Sequence, residues 1–248
     1  SYMDMVTANA VYSLWRSGEG ENGFRAETIG QIMAGDMDRR LRPEKQDEIE
    51  ERLQKLAGTE LYILADHDQQ AMQEVYEGAF LPLVWETGRS RLRFRFRDGG
   101  QMPLYQYAEE RNQLIRIPVS LLRDDEALGQ TRLNNNDRTL LLRHYLLQEL
   151  EIVRSPGNRT EEGEVRLLKR DETGGEDGQL WVLGLMAEGK NPAAEAKRIQ
   201  QTLEQLLGNW RKSGYVTENQ YQFLPEEKGY GILLLSGDKT EKKRNKKE

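Results

Sequence analysis

The sequence contains no cysteine and only two histidines, His67 and His144. The first absence excludes disulfides, Cys-ligated zinc, iron–sulfur clusters and a thiol nucleophile. The second excludes a three-His metal site and leaves imidazole acid–base chemistry with few candidates. No stretch approaches the run of about 20 apolar residues that a membrane-spanning helix needs. The N-terminus, Ser1-Tyr2-Met3-Asp4-Met5, has neither the basic region nor the apolar run of a secretory signal. These features lead to the expectation of a cytoplasmic protein without a membrane segment. Positive charge is also in deficit: 36 Lys and Arg stand against 42 Asp and Glu, a formal net charge of −6. A uniformly basic, coat-like nucleic-acid binder is therefore excluded.

The 248 residues suffice for one large or two small domains, each with a buried core. Apolar periodicity predicts helices over 5–16, 26–34 and 43–57, the second stopped by Gly35 and the third opened by Pro43 and closed by Gly58. Strand-like segments follow at Glu60–Leu64, Ala79–Trp85 and Arg91–Arg97. A brief helix over Pro103–Arg111 and a strand over Leu114–Val119 complete the first half. Residues 123–138 are polar and rich in turn formers, and read as a linker. Beyond them, Asn136 or Asp137 caps a helix reaching about Val153. Pro192 opens a second long helix to 213, which Gly214 closes. Tyr215–Val216, Tyr221–Leu224 and Gly229–Leu235 read as strands. Leu180–Met186 is an apolar run of either type, and 171–178 is an acidic, Gly-rich loop.

The fold expected is α+β, with two winged-helix domains in tandem, each a helix-turn-helix followed by a β-hairpin. The first spans 1–122, the linker 123–138, the second 139–238, and a basic, disordered tail 239–248. Helices 43–57 and 192–213 superpose at an offset of 150, which places Ile49, Leu53, Leu56 and Gly58 on Ile199, Leu203, Leu206 and Gly208. The third helix of such a domain can enter the major groove of DNA.

The net charge conceals two basic concentrations. In Arg89-Ser90-Arg91-Leu92-Arg93-Phe94-Arg95-Phe96-Arg97, strand alternation puts five arginines on one face and Leu92, Phe94 and Phe96 on the other. The tail 239–248 carries a net +4. With +5 from the arginine run, the rest of the chain carries −15. An arginine row suits phosphates, because the guanidinium is a permanent, planar, multi-donor cation. The alternative is a solvated strand face whose arginines pair with neighbouring carboxylates. Helix 43–57 is acidic, with Glu44, Asp47, Glu48, Glu50 and Glu51. Helix 192–213 carries Lys197, Arg198, Gln200, Gln201, Thr202 and Gln205 off its apolar face, and Gln and Arg are residue types that read base edges. The candidate DNA-binding residues are thus Arg89, Arg91, Arg93, Arg95, Arg97, Lys197, Arg198, Gln201 and Gln205.

Catalytic motifs are missing. Gly18-Glu19-Gly20-Glu21-Asn22-Gly23 matches a dinucleotide fingerprint in letters only, since it follows a helix and carries two glutamates. Asp66-His67-Asp68 reads as a polar turn, and His144 as a packed histidine at the edge of the core. No catalytic residue, metal site or cofactor is expected, and no enzyme activity.

Four segments carry a resemblance. They are Arg25-Ala26-Glu27-Thr28-Ile29-Gly30-Gln31-Ile32-Met33-Ala34-Gly35 with the Pro43 helix; Pro103-Leu104-Tyr105-Gln106-Tyr107-Ala108-Glu109 with Ile115–Leu122; Leu140-Leu141-Leu142-Arg143-His144-Tyr145-Leu146-Leu147; and Trp210-Arg211-Lys212-Ser213-Gly214-Tyr215. Over about 24–235 their order resembles replication-initiator-like proteins of bacterial plasmids and integrative or phage-like mobile elements. The chain departs from them in its acidity and in a long insertion at 163–178. The resemblance implies tandem winged helices, binding of double-stranded DNA at an origin or operator, replication proteins as further partners, and no chemistry. It also implies that Lys197, Arg198, Gln201 and the basic strand face DNA. Two alternatives share the fold: a protein-interaction module whose acidic first half docks a basic partner, and a transcriptional regulator. The oligomeric state is left open, a dimer being one option.

Overall fold

The computed structural model describes residues 1–64, 75–88, 91–97, 101–111, 113–133, 136–154, 165–169, 192–226 and 229–235. The protein is mixed α+β and divides into two compact units. One is Met3–Arg116; the other is Ile117–Glu248 together with Ser1 and Tyr2.

The first unit contains α1 (Tyr2–Ser17), α2 (Ala26–Ala34), α3 (Pro43–Ala57), β1 (Glu60–Leu64), β2 (Val75–Ala79), β3 (Leu83–Thr87), β4 (Leu92–Phe96) and α4 (Pro103–Glu110). Helices α1 to α3 each bury an apolar set. Val6, Ala10, Val11 and Leu14 of α1, Ile29 and Met33 of α2, and Ile49, Leu53, Leu56 and Ala57 of α3 are all buried. Gly35 ends α2 in the left-handed conformation, φ 64°, and Pro43 opens α3 at its first turn. The expected stop at Gly58 is present without a left-handed turn, as φ there is −85°. Helices α2 and α3 approach closely at Gly30, where an added Cβ would lie 2.2 Å from Leu41 Cδ2 and 3.0 Å from Ile49 Cδ1.

Two small sheets follow. Strands β1 and β2 pair antiparallel, as do β3 and β4. The single strand expected over Ala79–Trp85 is therefore two strands from different sheets. Pro82 stands between them without an amide proton to donate to a ladder. A third segment joins β4. Phe24 donates to the Phe94 carbonyl (2.8 Å) and Phe94 donates back to the Phe24 carbonyl (2.9 Å), an isolated antiparallel bridge. Strand β4 is thus central, between β3 and Phe24. On the face opposite its arginines, Phe24 packs against Phe94 and Phe96, and the partly exposed Trp85 against Phe94, with these centroids 5.5–6.1 Å apart. No strand forms over Leu114–Val119. Ile115 and Val119 are exposed, and a short 3₁₀ turn covers Val119–Leu121.

The second unit contains α5 (Asp137–Arg154), β5 (Val165–Lys169), α6 (Pro192–Lys212), β6 (Tyr221–Glu226) and β7 (Gly229–Leu235). The sheet order is β5-β7-β6, all antiparallel. Asn136 caps α5 through its side-chain oxygen, which accepts from Thr139 N at 2.9 Å. Leu142, Leu146, Leu147 and Leu150 of α5 and Ile199, Leu203, Leu206, Leu207 and Trp210 of α6 form the core. Tyr215–Val216 is not a strand. Gly214, at φ 72°, reverses the chain, and Tyr215 N bonds back to the Trp210 carbonyl.

Of the expected linker 123–138, residues 123–133 and 136–138 are instead a packed part of this unit, and the boundary falls at Ile117. Asp124 pairs with Arg143 at 2.8 Å, and both side chains are almost wholly buried. Asn209 donates to Asp124 (3.0 Å) and to the Thr131 carbonyl (2.8 Å), while Trp210 donates to the Leu121 carbonyl. Burial lowers the Arg143 pKa, and the Asp124 charge opposes that. The acidic loop 171–178, the run Leu180–Met186, the Asp66–Asp68 turn and the tail 239–248 lie outside the described residues.

Candidate nucleic-acid interface

The first candidate surface is β4. Its alternation is as the sequence requires: Phe94 is fully buried, while Arg93, Arg95 and Arg97 are exposed. The arginines do not share one fate. Arg91 bonds to Asp47 of α3, approaches Glu50 of the same helix at 4.0 Å, and donates to the Pro43 carbonyl at 3.3 Å. Two carboxylates already neutralise it, so it is not available to phosphate as the arginine row predicted. Arg93 lies opposite Glu86 of β3 in the ladder and donates to the Asn22 carbonyl. Arg95 lies opposite Val84, and the backbone N–H of Arg97 bonds to the Pro82 carbonyl at 2.9 Å. Among the described residues no carboxylate pairs with Arg95 or Arg97. Arg89 lies outside the described residues.

The loop before Phe24 shapes this face. Gly23 adopts φ 89°, which a side chain would strain. A Cβ there would stand 2.9 Å from Arg93 Nε and 3.0 Å from Arg95 Cγ. The glycine lets the loop lie against β4 and aim the Asn22 carbonyl at Arg93.

The second candidate surface is on α6. Lys197, Arg198, Gln201 and Gln205 are exposed, opposite the buried Ile199, Leu203, Leu206 and Trp210. Lys197, Gln201 and Gln205 follow at four-residue spacing and so share a stripe. Glu204 is also exposed and accepts from Gln200 at 2.8 Å. The corresponding surface of α3 is of opposite sign. Glu44, Asp47, Glu48 and Glu51 are exposed there, and the Lys45 ammonium is already taken up by Glu48 at 2.6 Å. A face of that charge repels phosphate.

No protein-family model, curated protein or solved structure matches the chain.

One basic residue of the first surface escapes sequence reasoning. Arg25 is exposed next to the bridge at Phe24. Its only signal is the triplet Gly23-Phe24-Arg25, a single strand-like alternation directly in front of a helix. His144 is half-buried on α5. Among the described residues no cluster of three or more His, Cys, Asp or Glu is arranged to hold a metal, and no helix is long and apolar enough to cross a membrane.

Proposed function

We propose that the protein binds duplex DNA through two winged-helix units and is related to the replication initiators of plasmids and mobile elements. The observation that carries the DNA-binding reading is the exposed arginine face of β4. Arg95 and Arg97 have no carboxylate partner among the described residues, in a chain with an excess of carboxylates. The winged-helix reading is supported by topology. In the first unit, helix, bridging residue and two helices are followed by the β1–β2 hairpin and then the β3–β4 hairpin, whose last strand lies between β3 and Phe24. In the second unit the described elements run helix, strand, helix and hairpin, one helix fewer than in the first, again with the last strand central.

In this reading Arg93, Arg95 and Arg97 contact the sugar–phosphate backbone as a wing. Helix α6 enters the major groove. Lys197 and Arg198 meet phosphates there, and Gln201 and Gln205 read base edges, adenine being the base whose major-groove edge a glutamine matches. The protein performs no catalysis and requires no cofactor. Such a role places it in the cytoplasm beside its replicon, with replication proteins as partners.

The test is fluorescence anisotropy of a labelled duplex titrated at several salt concentrations. Neutralising about five phosphates gives a log–log salt slope near −4.5. The triple change Arg93→Gln, Arg95→Gln, Arg97→Gln should reduce the magnitude of that slope by about 1.8, to near −2.7. No binding at low salt, or binding indifferent to salt, overturns the proposal. The exposed acidic face of α3 favours a second role for the first unit, the docking of a basic protein. Pull-down that survives the arginine changes but fails on reversing Glu44 and Glu48 would assign it.

A further inference from the structure

The antiparallel bridge between Phe24 and Phe94 fixes more than two aromatic rings. In such a pair the flanking residues are also matched, so Arg25 stands beside Arg93 and Gly23 beside Arg95. Phe24 and Phe94 are buried on one face. Arg25 is extended, φ −116° and ψ 164°, and exposed, so its side chain belongs to the other face, that of Arg93 and Arg95. Four positions thus form a two-by-two grid. Three hold arginines, and the fourth, Gly23, has no side chain. Arg93 and Arg95 reach over that vacancy, as their closeness to a Cβ built on Gly23 records.

This grid is electrostatically unfavourable in isolation, because like charges directly opposite in a sheet repel. Glu86 flanks Arg93 from β3, and the Asn22 carbonyl accepts one of its protons. Arg25 and Arg95 have no carboxylate partner among the described residues. A single anion placed over Gly23 would remove the repulsion. Opposed residues begin about 5 Å apart across a sheet, and alternate residues about 6.6 Å apart along a strand. Three guanidinium forks rooted at those spacings converge on one tetrahedral group, with the bidentate geometry that phosphate oxygens favour.

We propose that Arg25, Arg93 and Arg95 form one phosphate-binding site at the corner where Phe24 leads into α2. Its ligand is a phosphodiester group of a duplex backbone. The site deepens the DNA-binding reading, on which the source of the phosphate rests.

The experiment has two arms on the full chain. Duplex binding is measured by anisotropy across salt, and tripolyphosphate binding by thermal shift. The variants are Arg25→Gln, Arg95→Gln and, as a control, Arg116→Gln, which is exposed and outside both sheets of its unit. The expected result is about a fivefold loss of duplex affinity at low salt for Arg25→Gln and for Arg95→Gln. Each should reduce the magnitude of the salt slope by about 0.9, with no change for the control. The same two variants should lose most of the tripolyphosphate shift. If duplex binds and Arg25→Gln behaves like the control, the site is overturned and the DNA-binding reading stands. If tripolyphosphate stabilises the wild type through Arg25 but duplex does not bind, the phosphate site stands, and its assignment to DNA falls. If neither polyanion binds, both fall.

Discussion

The guanidinium of Arg91, at the turn end of β4, is bonded to the carboxylate of Asp47 on α3. The hairpin is thereby fastened to an acidic helix by the described arginine nearest its tip, while Arg95 and Arg97 stay open to solvent. Arg91 therefore positions the hairpin, and under the proposed DNA-binding reading it contributes little to phosphate contact. Arg91→Gln should change duplex affinity less than Arg95→Gln. The double change Asp47→Asn, Glu50→Gln should release Arg91, raise affinity and steepen the salt slope by about one. In an Arg91→Gln background that steepening should be absent. Anisotropy titrations at several salt concentrations read all three outcomes.

The Asp124–Arg143 pair is the most deeply buried ion pair among the described residues. Removing one partner leaves an uncompensated buried charge. Asp124→Ala is expected to cost about 3–5 kcal/mol, read as a fall in the urea midpoint. The loss should exceed that of cutting an exposed pair such as Arg211–Glu218, where the expectation is below about 1 kcal/mol.

Two helical glycines should respond to alanine with opposite sign. Nothing lies within 4 Å of a Cβ at Gly208, so Gly208→Ala should gain about 0.5–1 kcal/mol from helix propensity alone. At Gly30 the added carbon meets Leu41 and Ile49, and overpacking of about 1–3 kcal/mol should outweigh the same gain. Thermal melts of the two variants, one rising and one falling, check both.

Tyr215 donates its hydroxyl to Glu151 at 2.6 Å, and the Arg154 guanidinium lies 4.3 Å from its ring centre. Burial first, and then the hydrogen bond to Glu151, push its pKa up, while Arg154 opposes them. Tyr2 is pushed up by burial and by the charge of Glu149. A raised folded-state pKa means that the unfolded chain releases the proton first. The contribution of each group is full below about pH 10 and is lost above it. Urea midpoints should therefore fall between about pH 9.5 and pH 11, and the fall should be shallower in Tyr215→Phe.

Local signals made much of the fold legible. The bounds of α2 and α3 follow from apolar periodicity with Gly35 and Pro43 as punctuation, and those of β1 and β7 from compact apolar runs. The failures have one physical cause, since a strand is defined by its partner. Leu114, Ile115, Ile117 and Val119 have apolar spacing that suits a strand, yet nothing among the described residues pairs with them. Val75–Ala79 reads poorly alone, yet pairs with β1. The same holds at the candidate site. Alternation in 91–97 shows which residues face outward. It cannot show that Asp47, 44 residues before Arg91, takes one of them out of play. Nor can it show that a single bridge brings Arg25 to the row.

In the second unit the last strand lies in the middle of its sheet, and in the first β4 lies between β3 and the bridge at Phe24, which orders events during synthesis. Phe24 waits for Phe94, made roughly 70 residues later. At about 5–20 residues per second, that interval is on the order of 4–14 s. A nascent chain in this window has α1 to α3 but no partner for the Phe24 backbone, and the Phe24 ring lacks the aromatic neighbours that bury it. The β3–β4 hairpin thus closes late, with only α4 still to follow in its unit, and a ribosome that pauses before residue 94 would hold the basic face unassembled.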